Sequence, residues 1–352
     1  MQILIWSCDY FIDKISVVDR VVCAYNGGGA NFLSFHHIPV LLEETLQSLA
    51  LKPDGIYVDG TLGGAGHSFE ILQRTSPTGR LIGIDQDEEA LQAAKMRLAP
   101  FGERATLVKA NFSEMKQVLA KLEITQVDGI LLDVGVSSHQ LDQAERGFSY
   151  MAEAPLDMRM DQHSNGPTAA DLLQNLSEEE LANLIYQFGE ERYSRRIARQ
   201  IVSAREKAPI VTTTQLVQII RKGMPKGKKE EQHPAKRTFQ ALRIAVNDEL
   251  DVLKKALEQA LSLLKPGGRL SVITFHSLED RIVKEQFRVW AKGCICPPEF
   301  PVCRCGKKPA VILVNRKPIV ASMQELAENP RARSAKLRTV EKILVSNHVE
   351  EK

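Results

Sequence analysis

The chain has 352 residues, 43% of them apolar and 26% charged, with a formal net charge of +2. That length predicts a main domain with a sizeable insertion, in an ordinary soluble globular composition. The near-balanced charge leaves nucleic-acid binding to local clusters, no apolar run reaches membrane-span length, and six cysteines do not make a secreted disulfide scaffold, so a cytoplasmic location is expected.

Residues 1–35 stand apart. Asp9, Asp13, Lys14, Asp19 and Arg20 break their apolar pieces, which is not the pattern of a signal peptide. Asn26-Gly27-Gly28-Gly29 reads as a flexible linker, so the segment is expected to be a disordered extension without function. Leu42, Leu46 and Leu49 then predict a helix over Pro39 to Leu51.

The organising stretch follows. Ile56-Tyr57-Val58-Asp59 reads as a strand, Gly60 to Gly66 as a glycine-rich turn, and His67-Ser68 as a helix start. A second strand, Arg80 to Asp85, ends on a carboxylate, and the whole is a plan for gripping a nucleoside's ribose. Phe69 stands where the dinucleotide fingerprint needs its third glycine, and the turn has no P-loop lysine. Asp59 would repel a pyrophosphate but suits a cationic ligand. S-adenosylmethionine is one, with a ribose for Asp85, an amino group and a sulfonium. The bland alternative is a glycine turn that merely joins two core elements.

A helix over Glu88 to Leu98 is closed by Pro100 and Gly102. A short strand, Thr106 to Val108, leads to Phe112, and Ser113 is expected to cap the helix that runs to Leu122. Val127 to Asp133 is the continuous apolar run of a buried parallel strand. Strands alternating with helices predict a doubly wound, Rossmann-like α/β sheet, in which ligands sit beyond the carboxyl ends of the strands. Asp59, Asp85, Phe112 and Asp133 each follow one of four successive strands. Any one could be a simple turn former.

From Ser138 to about Thr238 the sheet pattern stops, which predicts an inserted helical domain over 141–238 between sheet halves at 36–140 and 239–352. Ser177-Glu178-Glu179-Glu180 has the form of a capping box. Arg192, Arg195, Arg196 and Arg199 fall at i, i+3, i+4 and i+7, a single stripe whose like charges repel. A solvated face is the bland reading. With the basic run Arg221 to Arg237 it is otherwise a candidate phosphate-binding surface.

Phe239 to Leu264 is expected to be one long amphipathic helix, and Arg269 to Phe275 the returning fifth strand. His276 follows at the rim, either a structural link or a partner for substrate, with Ser277 and Asp280 expected to cap the next helix. Cys294-Ile295-Cys296 and Cys303-Arg304-Cys305 leave one residue inside each pair where zinc sites prefer two or more, so reduced thiols are favoured and no metal is expected. Val311 to Asn315 and Leu337 to Val345 read as closing strands, with the basic loop Asn329 to Ser334 between them.

Nine motifs in order are similar to those of the MraW family of ribosomal RNA methyltransferases. They begin with His37-Ile38-Pro39-Val40-Leu41-Leu42, Asp59-Gly60-Thr61 with Gly66-His67-Ser68, and Leu132-Asp133-Val134-Gly135-Val136-Ser137-Ser138. Arg146-Gly147-Phe148-Ser149, Pro155 to Asp161 and Ser194 to Ala198 follow. Arg237 to Arg243, Phe275 to Arg281 and Asn329 to Ser334 complete the set. The resemblance runs from about His36 to about Val345. It implies S-adenosylmethionine bound by Ala65, Gly66, His67, Asp85, Phe112, Asp133 and Gln140, with alanine at position 65 where glycine is frequent. It also implies methylation of the exocyclic N4 amine of a cytidine in the decoding region of small-subunit ribosomal RNA, with Asp133 and His276 as catalytic candidates. Arg192, Arg195, Arg196, Arg199, Arg237, Arg331 and Arg333 are the candidates for RNA contact, the substrate lying within the small ribosomal subunit. A homodimer is left open. A nicotinamide-dependent oxidoreductase and a non-catalytic ribosome-assembly factor are the rivals. The missing third glycine speaks against the first, and the intact glycine turn with its carboxylates against the second.

Overall fold

A computed structural model describes residues 39–225, 233–297 and 299–343. The extension at 1–35, and the lysines at 226, 228 and 229, lie outside the described residues. Seven strands form one sheet in the order β3-β2-β1-β4-β5-β7-β6. They are β1 (Ile56–Asp59), β2 (Arg80–Asp85), β3 (Ala105–Lys109), β4 (Val127–Asp133), β5 (Leu264–Thr274), β6 (Val311–Leu313) and β7 (Lys336–Lys342). The first five run parallel, while β7 is antiparallel to both β5 and β6. Strand order reverses between β1 and β4, which opens a crevice at their carboxyl ends.

Both faces of the sheet are apolar because successive side chains point to opposite sides. Val58, Ile130, Leu132 and Val272 face one core with α4 (Met115–Lys121), α11 (Glu249–Leu263) and α12 (Ser277–Lys292). Tyr57, Leu131, Ile273 and Leu337 face the other, with α1 (Leu42–Leu49), α2 (Gly66–Arg74) and α3 (Glu88–Leu98). The doubly wound expectation holds.

Between β4 and β5 the chain leaves the sheet through α5 (Ser138–Asp142) and builds α6 (Ala169–Asn175), α7 (Glu178–Gly189), α8 (Ser194–Arg205), α9 (Thr213–Gly223) and α10 (Lys236–Asn247). These helices bury a core of their own, including Leu181, Ile185, Ile197, Ile201, Leu216 and Ile220. Phe239 and Leu242 of α10 belong to it, so this core extends past Thr238. Ser177 and Glu180 form the expected capping box.

Four expectations need correction. The long helix from Phe239 is broken into α10 and α11 at Asp248, whose backbone is left-handed at φ 50°. Apolar periodicity runs through such a break without registering it. The turn before α4 is capped by Asn111, which accepts from the Ser113 amide at 2.9 Å, rather than by Ser113. Glu279, not Asp280, reaches back to the start of α12, and Ser277 lies inside that helix. β5 begins at Leu264 rather than Arg269, with a register shift opposite Val127 and Gly129.

Candidate functional site

Close backbone packing shapes the turn after β1. A Cβ on Gly60 would sit 2.6 Å from Leu132 and 3.1 Å from the Phe112 Cβ, and one on Gly66 would sit 2.3 Å from Pro39. Gly63 and Ala65 are left-handed, at φ 48° and 56°. Alanine therefore holds a backbone that glycine adopts without strain. The amide of Gly60 donates to the Leu131 carbonyl at 2.9 Å, and that of Leu62 to the Ile84 carbonyl at 3.1 Å. The turn is thereby stitched across the ends of three strands.

Three carboxylates crown those strands. Asp59 is buried and already satisfied: Ser68 Oγ donates to it at 2.6 Å and the Thr61 amide at 3.1 Å. It contributes charge and holds the turn, and its carboxyl is raised by burial. Asp85 accepts the Gly63 amide at 2.8 Å and the Asp87 amide at 2.9 Å. Burial nevertheless lifts it to about 6 against those bonds, with Asp87 and Asp59 adding like charge. Asp133 is shifted further than Asp85. Burial, then Asp59, then Glu279 push its carboxyl up to about 8. Its Oδ1 has no hydrogen-bond partner among the described residues, while its amide donates to Thr61 Oγ1 at 2.6 Å.

His67 is buried, with Nε2 3.0 Å from the Val40 carbonyl oxygen and Nδ1 3.8 Å from Asp133. A hydrogen bond on Nε2 fixes the ring and aims Nδ1 at the carboxylate. Phe112 starts a one-turn 3-10 helix after β3, half-buried at the sheet edge. His276 sits past β5 with Nε2 3.0 Å from the buried Glu279. Burial would raise Glu279, but the His276 ring and Arg243 more than offset it and hold that carboxyl low. Glu279 also accepts the Phe275 amide at 2.9 Å.

Gln140 is buried at the same rim, but its side chain is committed. Its Nε2 donates to Asp87 at 2.8 Å and its Oε1 accepts the Ser137 amide at 3.1 Å. The structure thus joins Gln140 and Arg146 to two groups that the sequence did not single out, Asp87 and Asn247. Asp87 caps α3 through the Glu89 amide and meets the buried Arg146 at 2.8 Å. Arg146 also donates to the carbonyls of Arg159 and Met160 at 3.2 and 2.8 Å. Asn247 holds the same loop, accepting the Met160 amide and donating to the Met158 carbonyl, each at 2.8 Å. A polar residue just before a helix was the one available sign of Asp87.

The basic candidates divide. Arg192 lies on the turn before α8, so the expected four-residue stripe carries only Arg195, Arg196 and Arg199 within the helix. All four are exposed, and Arg199 lies 3.5 Å from Glu178. Arg237 donates to the Glu190 carbonyl at 2.9 Å. Arg331 is paired with Asp142, beside Gln140, and Arg333 is exposed. Glu190 joins insertion to rim, accepting from Ser277 Oγ and from Arg281 at 3.1 Å.

Residues 34–343 match the model of the MraW methylase family. The chain is 60% identical to ribosomal RNA small subunit methyltransferase H of Geobacter sulfurreducens over 312 residues, covering 88% of this chain and 100% of that protein. It is 58% identical to the protein of the same name from Symbiobacterium thermophilum, covering 88% of this chain and 98% of that one. The chain belongs to the MraW methylase family and is a methyltransferase that uses S-adenosylmethionine.

Proposed function

Starting from that membership, we propose that the chain methylates the exocyclic N4 amine of a cytidine in the decoding region of small-subunit ribosomal RNA. The observation that carries the reading is the unpartnered Oδ1 of Asp133, buried at the rim where β1 and β4 diverge. A buried carboxylate oxygen without a donor is costly unless a ligand supplies one. The names of the relatives at 58% and 60% identity, which run nearly the full length of those proteins, support the RNA.

The residues present fit the methyl donor. Asp85 retains lone pairs beyond its two backbone bonds for ribose hydroxyls, and Phe112 offers a ring beside it for the adenine. Close packing at Gly60 and Gly66 keeps the turn free of side chains where the methionine end would lie against Ala65, Gly66 and His67. Three carboxylates raised by burial favour a ligand carrying positive charge. When bound, S-adenosylmethionine supplies an electrophilic methyl group on a sulfonium.

The chain's task is then alignment. Cytosine's amine is a weak nucleophile because its lone pair is delocalised into the ring. Asp133 as carboxylate accepts a hydrogen bond from the amine, returns density to the nitrogen and takes up the proton that the methylated amine releases. Holding nitrogen, methyl carbon and sulfur in line supplies much of the acceleration. His276, tied to Glu279, positions the start of α12 at the same rim. The base must leave its stack to reach this depth. The exposed Arg192, Arg195, Arg196 and Arg199 grip phosphates on the insertion, with Arg237 and Arg333 as further contacts. Arg331 works through Asp142 instead.

The deciding experiment is transfer of labelled methyl to small ribosomal subunits from cells lacking the protein, beside naked ribosomal RNA, followed by nucleoside analysis. Label in N4-methylcytidine is expected. No label despite bound S-adenosylmethionine, or label in another nucleoside, would overturn the substrate.

A further inference from the structure

Away from the rim, the chain between α12 and β6 carries Cys294, Cys296, Cys303 and Cys305 on one loop. Their sulfurs converge: Cys294 to Cys303 is 3.5 Å, Cys303 to Cys305 3.6 Å, Cys305 to Cys294 3.7 Å and Cys296 to Cys303 4.0 Å. All four lie within 4.8 Å of one another. Zinc–sulfur bonds of about 2.3 Å in a tetrahedron place sulfurs about 3.8 Å apart, which is the spacing seen here. A multi-iron cluster divides its thiolates between separated irons and would spread them further. From these distances we propose that the four cysteines bind one structural zinc ion as a tetrathiolate.

Two independent features agree. The Arg304 amide points at Cys296 Sγ from 3.3 Å and the Ile295 amide at Cys305 Sγ from 3.4 Å, backbone donors suited to thiolates. The loop also has little else to hold it. Ile295, Phe300 and Val302 are 66%, 48% and 70% exposed, so its apolar side chains point outward while its thiols face one another. Gly293, at φ 68°, closes the neck, where a Cβ would lie 2.4 Å from the Pro309 nitrogen. A loop without a core of its own is the usual setting for a metal staple. One residue inside each pair spoke against zinc in the sequence, yet Cys303 and Cys305 reach a tetrahedral edge across that single residue.

The ion is structural rather than catalytic. The 16 residues of α12 separate the loop from His276 by about 24 Å. Metal analysis of the full chain, purified anaerobically without chelator, should find one zinc per chain, with a Kd below about 0.1 µM. Mercurial titration should release it in step with four of the six thiols. Cobalt added to the stripped protein should give the intense visible bands of a tetrahedral tetrathiolate. The double variant Cys294→Ser/Cys303→Ser should retain less than a tenth of the zinc and still bind S-adenosylmethionine. Wild-type protein that takes up less than about 0.1 zinc from micromolar zinc, disulfides among these cysteines in protein quenched from reducing cells, or undiminished zinc in the double variant would each overturn the proposal. Should the variant fail to fold, the wild-type metal content and cobalt spectrum still decide.

Discussion

At the scale of single residues, the proposed chemistry turns on a carboxyl group that its surroundings can hold in two states. Asp133, raised to about 8, is mostly protonated in the free protein at neutral pH. A cationic ligand reverses the balance by favouring the carboxylate. Asp133→Asn keeps the shape but replaces the carboxylate with a neutral, far less basic carbonyl, so single-turnover transfer should slow by about 10²–10⁴-fold. Labelled transfer to saturating subunits measures this, and an unchanged rate would remove Asp133 from the reaction. Asp85 and Asp133 were legible in the sequence because each ends an apolar strand on an acid. The bond from His67 to Val40 was not, since it joins residues far apart in the chain through a ring nitrogen and a backbone oxygen.

At the scale of elements, the insertion is fastened to the sheet by buried polar groups rather than by a shared apolar core. Arg146 is 2% exposed and bridges Asp87 at the cap of α3 to the loop carbonyls of Arg159 and Met160. Arg146→Met should cost about 3–5 kcal/mol, because it strands the Asp87 carboxylate beside Gln140. Denaturant titration reads this, and a loss under 1 kcal/mol would mean that the network relaxes. The helices α7 and α10 meet at Gly189, where a Cβ would lie 2.5 Å from the Arg237 carbonyl oxygen. Gly189→Ala should therefore destabilise by about 1–3 kcal/mol and loosen Glu190 from Ser277, as thermal melting and hydrogen exchange at α12 can report. The elements themselves were readable wherever apolar periodicity was unbroken, as for Glu88–Leu98, which matches α3. Breaks set by one left-handed residue were not readable. Asp248 carries no glycine or proline to announce it, and its neighbour Asn247 spends its side chain on the distant Met158 and Met160.

At the scale of the whole molecule, the acidic rim makes stability and ligand binding pull against each other. Asp133 titrates near 3.9 when unfolded and near 8 when folded. Its stabilising contribution is complete below the unfolded value and is lost as pH rises through the folded one. The unliganded protein should therefore melt lower at pH 8 than at pH 6. S-adenosylmethionine should raise the melting temperature more at pH 8. An equal rise at both would separate the ligand from the carboxylates. On the insertion, Arg195→Ala with Arg196→Ala should weaken RNA binding and flatten its salt dependence by about 2 in log–log slope. An unaltered slope would return those side chains to a merely solvated face. The doubly wound order and the rim followed from alternating strands and helices. The antiparallel turn-back of β7 and the partners of Arg146 and Arg331 did not, because they depend on contacts between segments widely separated in sequence.

The most direct test of the rim as the cofactor site is equilibrium binding of S-adenosylmethionine at pH 6 and pH 8, in the wild-type chain and in Asp133→Asn. Carboxyls raised to about 6 and about 8 at Asp85 and Asp133 must ionise to meet a cationic ligand. Wild-type affinity should rise about tenfold or more across that interval, and the variant should lose most of the rise. An affinity independent of pH in the wild type, or an equal rise in the variant, would contradict the account.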